Sequence, residues 1–118
     1  MEELGTGAGQ AKLTFQIGSV SYHTLEFVQE DGVTPIEDDT SGWTFEFYVK
    51  DYAGAIEKYF NLTLGNGISW VTYSNTAILI TVNATQSLLE EAEYYWELRR
   101  TDLNEPFMSG NAIFQYEA

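Results

Sequence analysis

His23 is the only histidine in the chain, so any Ser/His/Asp or Cys/His apparatus for acyl transfer would have to be assembled on it. It stands between Tyr22 and Thr24 in an alternating stretch, and no serine carries the flanking glycines of a nucleophile elbow. A structural or exposed histidine is the expectation. Zinc needs three or four His, Cys or carboxylate ligands, and a chain with one histidine and no cysteine offers too few soft ones. Calcium is the metal to weigh, because Glu37, Asp38 and Asp39 share a loop with Asp31 and together present several hard oxygens. Their spacing is not that of an EF-hand, and adjacent carboxylates in an acidic protein are ordinarily solvated, so no metal is expected. Gly5-Thr6-Gly7-Ala8-Gly9 lacks the Lys and Ser/Thr of a phosphate loop and follows no strand. The expectation is a protein with no catalytic residue, no cofactor and no metal: not an enzyme.

Aromatic side chains remain, and they act by contact. Trp43 and Trp96 fall on the apolar sides of their strands and are expected in the core. Tyr48, Trp70 and Tyr95 are the candidates for exposure, and exposed Tyr and Trp mark protein interfaces. The same rings stack on sugars, so a carbohydrate-binding module is the alternative.

These residues must be carried by strands. From Trp43 to Lys50 the apolar residues Trp43, Phe45, Phe47 and Val49 alternate with Thr44, Glu46, Tyr48 and Lys50, the period of a strand with one buried face. Tyr94, Trp96 and Leu98 alternate in the same way with Glu93, Tyr95, Glu97 and Arg99, and the two Trp-bearing strands are expected to cover each other. Further strands are predicted over 12–17, 21–29, 55–62, 68–72, 76–82 and 107–117, with Leu25 and Phe27 the inward pair of the second. Asp51-Tyr52-Ala53-Gly54 reads as a short hairpin turn, and Leu64-Gly65-Asn66-Gly67 as a second turn. Residues 30–42, with Asp31-Gly32, Pro35 and the acidic run, read as a surface loop. Over 84–90 the alternation stops, and Asn83 stands three residues before Gln86 as a cap for a single helical turn. Seven to nine short strands at regular spacing indicate an all-β sandwich or barrel.

At 118 residues there is room for one core: a flexible Gly-rich arm over 1–10 and a single β domain over 11–118. Eighteen acidic against five basic residues give a net charge of −13, which argues against nucleic acid and makes a basic protein surface the natural partner. No run of about 20 apolar residues is long enough for a membrane helix. Glu2 and Glu3 stand where a secretory signal would carry Lys or Arg, so synthesis without such a signal is expected and the two Asn-X-Thr tripeptides at Asn61 and Asn83 are set aside.

Five motifs in order carry a resemblance: Asp39-Thr40-Ser41-Gly42-Trp43-Thr44-Phe45; Val49-Lys50-Asp51 with Gly54; Ile78-Leu79-Ile80-Thr81-Val82 running into Thr85-Gln86-Ser87-Leu88-Leu89; Tyr94-Tyr95-Trp96-Glu97-Leu98-Arg99-Arg100-Thr101; and Ser109-Gly110-Asn111-Ala112-Ile113-Phe114. Over residues 12–116 the chain resembles the immunoglobulin-like amino-terminal module of phage baseplate upper and tail-fibre proteins, departing from it at Glu91-Ala92-Glu93, where that family carries a Gly. The resemblance implies an antiparallel two-sheet immunoglobulin-like sandwich. It also implies a structural virion component of tail, baseplate, neck or fibre that contacts other virion proteins and its own copies.

Overall fold

The computed structural model describes residues 12–29, 31, 33–72 and 74–116. The arm over 1–10 lies outside the described residues, as do Gly32 of the expected Asp31-Gly32 turn and Glu117 at the end of the last predicted strand. Alternating sequence becomes eight strands: β1 (Leu13–Gln16), β2 (Ser21–Glu26), β3 (Phe45–Lys50), β4 (Phe60–Leu64), β5 (Gly67–Trp70), β6 (Ala77–Val82), β7 (Ala92–Arg100) and β8 (Glu105–Gln115). They form one continuous sheet in the order β1-β8-β7-β3-β4-β5-β6-β2, bent almost into a barrel. The all-β expectation and the strand number hold. The hydrogen bonding joins all eight strands in one sheet, and it is not wholly antiparallel: β1 runs parallel to β8, and β4 parallel to β5.

The two ends of the sheet meet through side chains. Ser21 Oγ accepts from the Gln16 N–H at 3.3 Å, and His23 donates from Nε2 to the carbonyl of Thr14 at 2.9 Å while its ring meets Phe15 edge-on. The lone histidine therefore fastens the seam between β1 and β2. The connection from β4 to the parallel β5 turns on Gly65 and Gly67, which take positive φ of 85° and 98°. A Cβ on Gly67 would stand 2.5 Å from Leu62 Cδ2, so only glycine fits this corner.

Trp43, Phe45, Phe47, Val49, Trp96 and Leu98 are all buried in one core, together with Phe15, Ile78, Ile80 and Phe114. The two Trp-bearing strands do not cover each other: β3 and β7 are hydrogen-bonded neighbours, with Val49 opposite Trp96 and Phe47 opposite Leu98. Both apolar faces point into the same interior. Phe27, just past β2, meets Trp43, Phe45, Trp70 and Phe107 there.

Three further expectations are corrected. Strand β4 begins at Phe60, because residues 51–59 form one long connection with Ile56 almost wholly in solvent and no apolar face to bury. Strand β2 ends at Glu26, after which Val28 bridges Pro35 and the Ile36 N–H donates to the Phe27 carbonyl at 3.1 Å. The loop over 30–42 is thus partly interior: Ile36 and Thr40 are buried, and the Thr40 hydroxyl donates to the Asn75 carbonyl at 2.6 Å. Over 84–90 the chain makes one turn, with the Ser87 N–H donating to the Asn83 carbonyl at 3.1 Å and Asn83 Oδ1 accepting from the Gln86 N–H at 2.7 Å. It does not continue into a helix.

Candidate functional site

Strand alternation puts Glu46, Tyr48 and Lys50 of β3 on the outer face, opposite Arg99, Glu97 and Tyr95 of β7. Glu97 is the hub of this face. Its carboxylate accepts from Arg99 Nη1 at 3.1 Å and from the Tyr95 hydroxyl at 3.2 Å, and it is itself buried. Glu46 accepts from Lys58 Nζ and from Asn61 Nδ2, each at 3.0 Å, tying the 51–59 connection and β4 to β3. Lys58 lies 4.4 Å from the centre of the Tyr48 ring, and Lys50 lies 5.3 Å from Tyr48 and 5.9 Å from Tyr95. These are cation–π distances. Burial first, then the hydrogen bond to Glu97, pushes the Tyr48 hydroxyl above the ordinary tyrosine range, against the opposing pull of Arg99.

The face therefore gathers three of the chain's five basic residues, Lys50, Lys58 and Arg99, against two carboxylates in a protein of net charge −13. Tyr48 and Tyr95 are brought together here, but not as free rings. Tyr48 is only 4% exposed, which corrects the expectation of exposure: Lys50 from its own strand, Arg99 from β7 and Lys58 from the 51–59 connection crowd over it. Tyr95 is half-buried.

Trp70 belongs elsewhere. It is half-buried, edge-on to Phe27 and Phe45, in a cleft of about 350 Å³ lined by Asp39, Thr40, Ser41, Ser74 and Asn75. The rim is held by its own hydrogen bonds. Asp39 accepts from the Ser41 N–H at 3.1 Å, which draws its carboxyl below the ordinary range, and the Ser74 hydroxyl oxygen accepts from the Thr76 N–H at 3.2 Å.

Of the acidic loop, Asp31 closes a turn, accepting from the Val33 and Thr34 N–H groups at 2.9 Å and from the Thr34 hydroxyl. Among the described residues no three acidic or histidine side chains converge as metal ligands. Sequence reasoning named the two tyrosines but missed Glu97, whose alternation with Tyr95 and Arg99 already put all three on one face. It also missed Lys58, for which local sequence carries no signal, because its position depends on how the 51–59 connection folds back.

The face is pinned by its own hydrogen bonds and ion pairs, and its Tyr and Arg side chains suit a contact surface. No family model matches this chain, and a search of curated proteins likewise finds no match.

Proposed function

We propose that the protein is a non-enzymatic structural component of a phage particle, in the tail, baseplate, neck or fibre, which works by contact with other virion proteins and with its own copies. The observation that carries this reading is the outer face of β3 and β7. Tyr48, Glu97 and Arg99 are spent on holding one another, and the result is a stiff, mildly basic strip, laid over a covered tyrosine, on an acidic protein. Preorganised side chains lose little freedom on association, and opposed charges select the partner. A head-to-tail contact of that strip with the acidic surface of another copy would suit a ring. The immunoglobulin-like sandwich of the resemblance belongs to the same reading. What supports it is the tight glycine turn at Gly65 and Gly67, with five strands before it in the sheet order and three after it.

The test is to purify the particle and look for the chain in it. Fixed stoichiometry by mass spectrometry and assignable density by electron microscopy are expected; absence of the chain from purified particles rejects the reading. A second reading, carbohydrate binding, is favoured by the Trp70 cleft, where an indole lies among Asp, Ser, Thr and Asn side chains. A glycan array decides it: sugar binding that Asn75→Ala or Trp70→Ala removes would replace the structural reading.

A further inference from the structure

Strand directions bring four segments to one end of the barrel: the 17–20 turn, the 51–59 connection, the 83–91 crossover and the carboxyl end of β8. Nine large apolar side chains are exposed among the described residues, and six of them are on these segments: Val20, Tyr52, Ile56, Tyr59, Leu88 and Tyr116. Ile56 is 93% exposed and Leu88 63%. Such a concentration at one end is unlike the scattered single residues of an ordinary surface.

The end is also built. The Tyr59 hydroxyl donates to Asp51 Oδ1 at 2.5 Å, its N–H donates to the Val49 carbonyl at 2.8 Å, and its ring meets Tyr94 edge-on at 5.3 Å. Across from it, the buried Ser87 Oγ accepts from the Gly18 N–H at 2.9 Å and donates toward the carbonyls of Ser19 and Ala84, each 3.0 Å away, locking crossover to turn. Between the two lies a groove of about 440 Å³ with Tyr59, Leu88 and Leu89 inside and Asp51, Glu90 and Glu93 along it.

Charge names the occupant. Lys58 is the only cation in the 17–20, 51–59 and 83–91 segments, and it is turned away onto Glu46 and Tyr48. A second copy docking end to end would press carboxylates against carboxylates. The basic strip of another copy carries a single cation in excess, because Glu46 and Glu97 offset two of its three, so it matches this end less well than a run of unpaired Lys or Arg. We infer that this end is a docking groove for a segment of a neighbouring protein that alternates apolar side chains with Lys or Arg. The inference rests on the contact-protein reading above and gives it a surface and a partner chemistry.

The test uses the full chain, isotope-labelled, and a synthetic peptide alternating Lys with Leu. Amide shifts confined to 52–59 and 88–94 are expected. A Glu/Leu peptide should leave the spectrum unmoved, and Ile56→Ser or Leu88→Ser, both at exposed positions, should weaken binding about tenfold without disturbing the remaining amides. The inference is overturned if a Lys/Ser peptide binds equally well, or if the shifts map to the acidic loop around Asp31 and Asp39. It is also overturned if the protein alone self-associates in sedimentation and Ile56→Ser abolishes that association, which would make a second copy the occupant. These readings are made on the isolated protein, so they are independent of whether the chain is found in a particle.

Discussion

Among the described glycines compared for the space around a Cβ, Gly67 carries the sharpest steric demand. At φ +98° with Leu62 Cδ2 only 2.5 Å from the site of a Cβ, alanine there meets both backbone strain and overlap. Gly67→Ala is expected to cost about 3 kcal/mol in urea unfolding. Gly42, with nothing within 4 Å of the same position, should tolerate alanine to within about 0.5 kcal/mol. Equal effects at the two sites would refute this account of the corner. Tyr59 makes a different kind of prediction. The hydrogen bond to Asp51, with burial and the Asp51 charge behind it, pushes its hydroxyl up to about 12. Because the folded value lies above the unfolded value of about 10, the neutral form stabilises the fold below about pH 10, and that contribution is lost as pH rises toward 12. In an ultraviolet tyrosinate titration Tyr59→Phe should remove one step near pH 12, and Asp51→Asn should move that step down. A titration curve identical in all three proteins would show that the hydroxyl does not sense Asp51.

The hairpin of β7 and β8 shows how one pair of side chains sets the relation of three strands. Its register shifts between Leu98 and Arg99, and the following Arg100 lies 3.7 Å from the centre of the Trp43 ring. Asp102 holds it there, accepting from Arg100 Nε at 3.1 Å and from Nη2 at 2.5 Å, and also accepts from the Thr44 N–H at 3.1 Å just ahead of β3. The Arg100 hydrogen bonds draw the Asp102 carboxyl below its ordinary range, opposed by burial. A lowered folded value means that the contribution is present above about pH 4 and is lost as pH falls through that folded value. Asp102→Asn should therefore cost about 2 kcal/mol at neutral pH, by loss of charged hydrogen bonds to a mostly buried guanidinium. The gap between variant and wild type should close in strong acid. A gap that stays constant down to acid pH would assign the loss to shape rather than charge.

For the whole molecule the dominant electrostatic fact is excess negative charge, 18 acidic against 5 basic residues. Three of the five cations are engaged with carboxylates at 3.1 Å or less, so the remaining carboxylates repel through solvent. Raising ionic strength from about 0.01 M to about 0.15 M shortens the screening length from about 30 Å to about 8 Å. The melting temperature should rise by about 4 °C, the equivalent of about 1 kcal/mol in a domain of this size. A fall in calorimetry would mean that the attractive pairs outweigh the repulsion.

The alternation of Trp43, Phe45, Phe47 and Val49 with polar residues determined, with no further information, that this stretch is a strand with a buried side. The same held for Trp96 and Leu98, for the inward pair Leu25 and Phe27, and for the glycine corner at 64–67. Side-chain period and turn chemistry are properties of the local backbone, so they can be read from neighbours in sequence. The 55–62 stretch misled because it follows the hairpin-turn residues Asp51-Tyr52-Ala53-Gly54, while burial is decided by what lies opposite, and Ile56 is 93% exposed. Pairing of β3 with β7, the parallel match of β1 to β8, the roof over Tyr48 and the gathering of Ile56, Tyr59 and Leu88 at one end all depend on residues far apart along the chain. Only the closing of the sheet brings them together, because register and strand order are chosen by the packing of the whole core and not by any one segment.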